Sequence, residues 1–380
     1  MVNEERLVQF FIELVETDSV SGQEERLRDY LKQYFNQYGL QVEEDNAGEV
    51  LQGTAGNLLI RMAGTIDKPP LLFAAHMDTV KPGEGIKAVV GDDRIIRSQG
   101  DTILGSDDKS AIAAILEAVE IIQERQLPHP PLEFLFTVSE EQGLMGAKLF
   151  DFSRLQSKIA YVLDDSNDPG TIVIKSPCQN EIEYIVQGRA AHAGMNPEEG
   201  INAIHLAAMA LAKMPCGRID EETTCNFGII EGGLARNIVA PECHIRGEAR
   251  SRSREKLDSI TNSLKDSFIN EIEKLGAKAE VKVDFLYPEI SLQQEEEVVQ
   301  RAVRAARKLG LEPILAATGG GSDASVINGA GIRCANLGVG MRNVHTTEEY
   351  ISIDDLVMDV RLILAIIEES CYRLIDTEEH

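Results

Sequence analysis

No stretch of the 380-residue chain approaches the ~18 consecutive apolar positions of a membrane span. The opening residues, Met1-Val2-Asn3-Glu4-Glu5-Arg6, are acidic and lead directly into an amphipathic helix. They lack the basic region and apolar block of a secretory signal, so a cytoplasmic location is expected. Positive charge is scarce too: 37 Lys and Arg stand against 63 Asp and Glu, a formal net charge of -26. Such a surface repels phosphate backbones and anionic lipid, which argues against nucleic-acid and membrane partners. The six cysteines (Cys178, Cys216, Cys225, Cys243, Cys334 and Cys371) show no Cys-x-x-Cys spacing. In a chain of this size that pattern fits free thiols in a reducing compartment, with neither disulfides nor a cysteine-bound zinc. Internal repeats and low-complexity segments are absent as well.

The bulk composition, 43% apolar and 26% charged, is that of a globular protein, and the length exceeds one ordinary core, so two domains are expected. Leu7, Phe10, Phe11 and Leu14 recur at helical spacing, and Leu27, Leu31, Tyr34, Phe35 and Tyr38 mark a second helix. Ser21 and Glu24 form a capping-box pattern before that helix, and Gly39 stops it. Apolar runs at residues 57–62, 71–75, 132–138 and 159–163 read as strands, with a helix at 109–124 between the second and third. Apolar strands without alternation, interleaved with helices, indicate a largely parallel sheet covered on both faces.

From about Ser176 to Pro288 the rhythm changes to strand (182–188), helix (200–213), strand (225–230), strand (237–250), helix (254–274) and strand (279–286). That order is the split β-α-β unit of ferredoxin-like domains. A helix at 295–309, a strand near 313–317, a glycine-rich loop and a last helix from Asp354 to about Leu374 then restore the first rhythm. The expected fold is α/β: a mixed, mostly parallel sheet flanked by helices, formed by residues 1–175 and 288–380, with a ferredoxin-like α+β domain inserted at 176–287.

The chemistry concentrates where these strands end. His76 and Asp78 sit two apart where the run Leu71-Leu72-Phe73-Ala74-Ala75 stops, so both side chains leave one face of the strand. Glu140-Glu141 and Asp164-Asp165 follow two further strands, Asp107-Asp108 lies in Gly105-Ser106-Asp107-Asp108-Lys109, and His345 stands near the C-terminus. In an open α/β sheet, the carboxyl ends of strands are where ligands bind. Singly, each has an ordinary explanation: Asp107-Asp108 and Glu140-Glu141 equally suit the first turns of the helices they precede, and Asp164-Asp165 equally suits a turn before Asn167, Pro169 and Gly170. As a set, two histidines and three carboxylates suit two zinc ions that share one carboxylate. The formal charges then cancel with a bridging hydroxide, and one glutamate of the 140–141 pair remains over to serve as general base.

In this order the motifs His-x-Asp, Gly-x-Asp-Asp-Lys, Glu-Glu, Asp and a late His resemble the dizinc peptidases and amidohydrolases that include peptidase T, aminoacylase and acetylornithine deacetylase. The similarity spans essentially the whole chain. Gly105-Ser106-Asp107-Asp108-Lys109 and Gly319-Gly320-Gly321-Ser322-Asp323 look most like the peptidase T branch. The resemblance implies that His76, Asp107 and Asp164 hold one zinc, that Asp107, Glu141 and His345 hold the other, and that cobalt or manganese could substitute. It further implies that Asp78 orients His76, that Glu140 moves the proton, and that the Asp107–Asp108 peptide is cis. The inserted domain would be a lid and dimerisation domain that supplies His192 for the oxyanion, Asn237, and Arg250 for a substrate carboxylate. Gly321 and Ser322 would line the pocket. Arg250 also stands with Arg252 and Arg254 at a strand-to-helix turn, where a solvated basic cluster would be ordinary.

The activity so implied is a dizinc aminopeptidase that removes the N-terminal residue of short peptides, tripeptides foremost, by attack of zinc-bound hydroxide. An N-acyl amino acid deacylase with the same centre is the alternative, and a non-catalytic peptide-binding homologue a third. A homodimer through the inserted domain is the expected assembly.

Overall fold

The computed structural model describes residues 2–372. The chain divides into two units, one built from the segments through Lys175, Leu292–Thr318 and Ser322 onward, the other from Ser176–Ser291 with Gly319–Gly321.

The first unit carries an eight-stranded sheet in the order Gln41–Glu44, Leu58–Met62, Leu132–Thr137, Leu71–His76, Ile159–Asp165, Arg333–Gly338, Thr171–Lys175 and Ile314–Ala317. Leu71–His76 runs parallel to both its neighbours, with His76 opposite Thr137 and Ala74 opposite Val162. Arg333–Gly338 is parallel to Ile159–Asp165, whereas the pairings of Gln41–Glu44 with Leu58–Met62, of Leu58–Met62 with Leu132–Thr137, and of Arg333–Gly338 with Thr171–Lys175 are antiparallel. Every residue of Leu71–His76 and Leu132–Thr137 is buried. Both faces of the sheet centre are therefore covered, and this is why the runs are continuously apolar. The helix Ser106–Arg125 packs on Leu71–His76 and against the helices Glu4–Val15 and Ile353–Cys371. Among the described residues no helix is long and apolar enough to cross a membrane.

Several local expectations change. Ser21 and Glu24 do not form a capping box: the helix spans Glu25–Gln37 with no side-chain cap at Glu24. The strand Arg333–Gly338 and the helix Asp323–Gly329 occupy a region read as loop, and a small antiparallel sheet joins Ala88–Val90, Ile95–Ser98 and Tyr350–Ser352. The last helix is Ile353–Cys371, and its expected end at Leu374 lies outside the described residues.

The second unit is a five-stranded antiparallel sheet ordered Gly217–Arg218, Thr223–Gly232, Glu242–Ser251, Cys178–Gln187 and Lys278–Tyr287, with the helices Ala203–Leu211 and Arg254–Lys274 packed on it. Its four long strands follow the chain order β-α-β-β-α-β, the ferredoxin-like pattern. Tyr184 on the inner strand Cys178–Gln187 meets Phe268 of the longer helix at 4.8 Å between ring centroids, and Leu257, Leu264 and Ile272 extend that helix's buried stripe. The strand expected at 237–250 starts only at Glu242. Residues 237–239 instead bond back to the loop at 191–193, with Ala193 N donating to Asn237 O and Val239 N to Ala191 O.

Candidate active site

Three adjacent strands deliver the core of the site at their carboxyl ends. His76 closes Leu71–His76, Glu140 and Glu141 follow Leu132–Thr137, and Asp164 stands one residue before the end of Ile159–Asp165. The fourth contribution comes from the turn into helix Ser106–Arg125. Gly105 has φ +74°, a conformation glycine adopts freely, and Asp107 and Asp108 depart from helical geometry. The Asp107–Asp108 peptide is cis, in line with the resemblance. His345 has φ +65° at the tip of a loop whose ends are paired through Arg342 and Tyr350.

Asp107 lies between the two histidines. Its Oδ1 is 2.9 Å from His76 Nε2 and its Oδ2 is 3.1 Å from His345 Nε2. Glu141 Oε1 approaches the same His345 nitrogen at 2.7 Å, and Asp164 Oδ1 lies 3.8 Å from His76 Nε2. The donor atoms of His76, Asp107 and Glu141 all fall within 4.8 Å of one another, as do those of His76, Asp108 and Asp164.

Asp78 is fully buried and fixes the glutamate loop. Its Oδ1 accepts from Glu140 N at 2.9 Å, and its Oδ2 accepts from Glu141 N at 3.2 Å and from Ser21 Oγ at 2.6 Å. Its carboxylate is 3.5 Å from His76 Nδ1, while its main-chain oxygen meets that nitrogen at 2.9 Å. His76 is thus oriented by residue 78 chiefly through the backbone.

The electrostatics are those of crowded buried acids. Burial, then the neighbouring Asp107, raises Asp164 well above the ordinary carboxylate range, and burial with the charge of Asp164 does the same to Glu140. Asp108 is raised too, chiefly by burial, and its Oδ1 has no hydrogen-bond partner. Burial pushes Asp107 up as well, but hydrogen bonds from His345 and His76 outweigh it and hold the group low. Hydrogen bonds to Asp107 and Glu141 lift His345 to about 10.

In the second unit, His192 and Asn237 are exposed neighbours, joined by the Ala193–Asn237 hydrogen bond and a bridge between residues 192 and 238. The Arg250 guanidinium is held by Glu248 through Nε at 2.9 Å and Nη2 at 3.0 Å, and its Nη1 reaches Gly319 O at 3.4 Å. A Cβ on Gly321 would come within 2.3 Å of the Tyr287 ring, so no side chain fits there without displacing that ring. Ser322 belongs to the first unit, is buried, and accepts from Asn336 Nδ2 at 3.2 Å.

Residues 72–369 match peptidase family M20/M25/M40. The chain belongs to that family. It is 43% identical to the aminopeptidase PepT of Bacillus cereus, whose crystal structure superposes with a TM-score of 0.90 over 98% of this chain and 100% of that one. A tripeptidase from Staphylococcus aureus is 42% identical, with a TM-score of 0.93 over 97% and 99% of the two chains. An uncharacterized protein of Bacillus subtilis, YqjE, is also 42% identical, over 97% of this chain and 100% of its own.

The donor set suits the metal chemistry of an M20/M25/M40 metallopeptidase. Imidazole nitrogens and carboxylate oxygens are ligands for zinc, cobalt and manganese. After burial, the strongest influences on Asp107, Asp164 and Glu140 are other acids and the two histidines, with no lysine or arginine among them. An acid cluster buried in this way either takes up protons, the direction in which Asp164, Glu140 and Asp108 are shifted, or is met by a bound cation.

Three contributors escape a reading of sequence alone. Glu24 accepts from Ser139 N at 3.1 Å and Ser139 Oγ at 3.3 Å, next to the glutamate pair, and Ser21 holds Asp78. Their Ser-x-x-Glu spacing suggests a helix cap, but Ser21 reaches Asp78, 57 positions away, and Glu24 accepts from the nearby Gly22 N at 2.9 Å as well as from Ser139, 115 positions away. Glu349 accepts four hydrogen bonds from residues 104–107. Its only local signal is a place four residues after His345.

Proposed function

We propose that the protein is a two-metal aminopeptidase that releases the N-terminal residue of short peptides, tripeptides foremost. The observation that carries this reading is the Asp107 carboxylate, with one oxygen on each histidine, and Glu140 near enough to His76 and Asp164 to be shifted by both. His76, Asp107 and Asp164 would hold one divalent ion, and Asp107, Glu141 and His345 the other, zinc first and cobalt or manganese as substitutes. Bound there, the ions would polarise the scissile carbonyl and acidify the attacking water.

The chain's own residues do the rest. Glu140 takes the proton of the attacking water and passes it to the departing amine. Asp78 keeps Glu140 and Glu141 in register by accepting from both backbone amides, so base and ligand move as one piece. In the second unit, His192 and Asn237 present polar groups suited to the carbonyl oxygen as it gains charge. Arg250, with its fork fixed by Glu248, is suited to the peptide's carboxylate end. The second unit would serve as the lid and, in a homodimer, as the contact between copies.

Hydrolysis of a matched panel by metal-loaded protein tests the reading: a free tripeptide, its dipeptide, its N-acetylated form and an N-acetyl amino acid, each with a chelator control. Chelator-sensitive release of the first residue from the free tripeptide alone is the expected result. Cleavage of the N-acetyl amino acid instead would move the assignment to a deacylase. Inactivity across the panel would leave a peptide-binding homologue.

A further inference from the structure

Glu349 stands apart from the ligands and yet touches the turn that presents one of them. It is 1% exposed. Its Oε2 accepts from Leu104 N and Gly105 N, both at 2.8 Å, and its Oε1 accepts from Ser106 Oγ at 2.6 Å and Asp107 N at 3.2 Å. Four donors from four consecutive residues leave the carboxylate essentially saturated, and they come from the turn that delivers Asp107. The same short loop carries His345, whose ring meets Asp107 Oδ2. One loop therefore grips Asp107 twice, at its side chain through His345 and at its backbone through Glu349.

The loop itself is braced. Arg342 and Tyr350 exchange backbone hydrogen bonds across its neck, Thr346 Oγ1 donates to Asn343 O, and Tyr350–Ser352 pairs with Ile95–Ser98. A stiff loop transmits position, so displacing Glu349 displaces the Asp107 turn relative to His345. A helix needs its first amide groups satisfied, and an ordinary cap would do this from the residue just before it. Here Gly105 occupies that place and has no side chain to offer, and the partner comes from 242 to 245 residues away.

We propose that Glu349 is a positioning residue for the metal centre. It sets the Asp107 carboxylate midway between His76 and His345 before any ion binds, and so fixes the spacing of the two metal positions. This rests on the reading of Asp107 as the shared ligand. Groups that orient ligands in this way typically change metal affinity ~10–100-fold when removed.

The test compares full-length wild type, Glu349→Gln and Ser106→Ala. Zinc affinity and stoichiometry would be measured against a chromophoric chelator, the visible spectrum recorded with cobalt, and folding followed by circular dichroism. Glu349→Gln keeps the size of the side chain but puts an amide donor against a row of donors. It is expected to fold, to bind zinc ~10–100-fold more weakly, and to show an altered cobalt spectrum. Ser106→Ala removes a single donor and should shift affinity in the same direction by less. Unchanged affinity and spectrum in Glu349→Gln would overturn the proposal and reduce Glu349 to a helix cap. Should Glu349→Gln fail to fold, an unchanged Ser106→Ala overturns it and a weakened one supports it. These readouts do not depend on peptide hydrolysis, so a protein that cleaves no peptide but responds this way keeps the assignment of Glu349 and loses the aminopeptidase reading.

Discussion

The surface of the second unit and the candidate site of the first handle negative charge in opposite ways. On the second unit, acids are met by bases of the same unit: Glu183 by Lys282 at 3.0 Å, Glu222 by Lys256 at 2.6 Å, and Glu271 by Lys213 at 2.5 Å and Lys274 at 2.9 Å. These groups lie at the surface, where water would solvate them in any case. In the first unit, Asp107, Asp108, Glu140, Glu141 and Asp164 gather behind three strand ends with only two imidazoles between them. The net charge of -26 says nothing of this difference. A surface that neutralises itself is compatible with any function, whereas clustered acids left without bases are a candidate place for cations.

The sharpest way to probe that contrast is to remove one buried charge. Glu140→Gln should cut peptide turnover by ~10²–10⁴-fold while both metals remain bound, and should raise the melting temperature of the metal-free protein by relieving repulsion from Asp164. Near-full activity in the variant would remove Glu140 from proton transfer. A lowered melting temperature in the metal-free state would contradict the view that the acids repel one another.

A second, smaller effect should appear as a pH dependence of the metal-free protein. Asp164 and Glu140 titrate above the ordinary carboxylate range, so the folded state binds protons that the unfolded chain has released. That contribution is complete below the ordinary values and lost as pH rises through the folded ones. His345 has the same sign, complete below the ordinary 6.5 and lost as pH rises through about 10. Asp107, held low, acts in the other direction, but only below the ordinary carboxylate range. Melting temperature measured after chelation should therefore fall from roughly pH 5 upward. Zinc should restore more stability at alkaline pH than at acid pH, because its binding displaces those protons. A flat metal-free profile would show that the acids do not sense one another.

Least affected should be the charge pairs of the second unit. Lys282→Ala removes the partner of Glu183 on an exposed sheet face, and neither the melting temperature nor metal affinity should change measurably. A clear loss would mean that this surface is not self-sufficient.

Much of the site could be read from sequence because its parts are marked locally. A buried strand that stops at His76-Met77-Asp78 announces itself through the run before it, and acids placed just after other apolar runs share its edge once the runs are read as parallel strands. The insertion was legible for the same reason, since its strands and helices keep their own periods. The remainder is non-local. Arg333-Cys334-Ala335-Asn336-Leu337-Gly338 forms a central strand without a β-branched residue, held by neighbours more than 150 positions away. Ser21 and Glu349, and Glu24 in its bonds to Ser139, take their meaning from partners that no short window contains.

The order of the donors along the chain has a consequence for biosynthesis. His76, Asp107, Glu141 and Asp164 all precede the break at Lys175, while His345 and Glu349 follow the whole of Ser176–Ser291. Translation runs in that direction, and domains fold as they emerge. A nascent chain thus completes its second unit while the acids of the first still lack one histidine and the carboxylate that braces Asp107. On the two-metal reading, the position held by Asp107, Glu141 and His345 would in this way be completed only once the segment after Ser291 has been made.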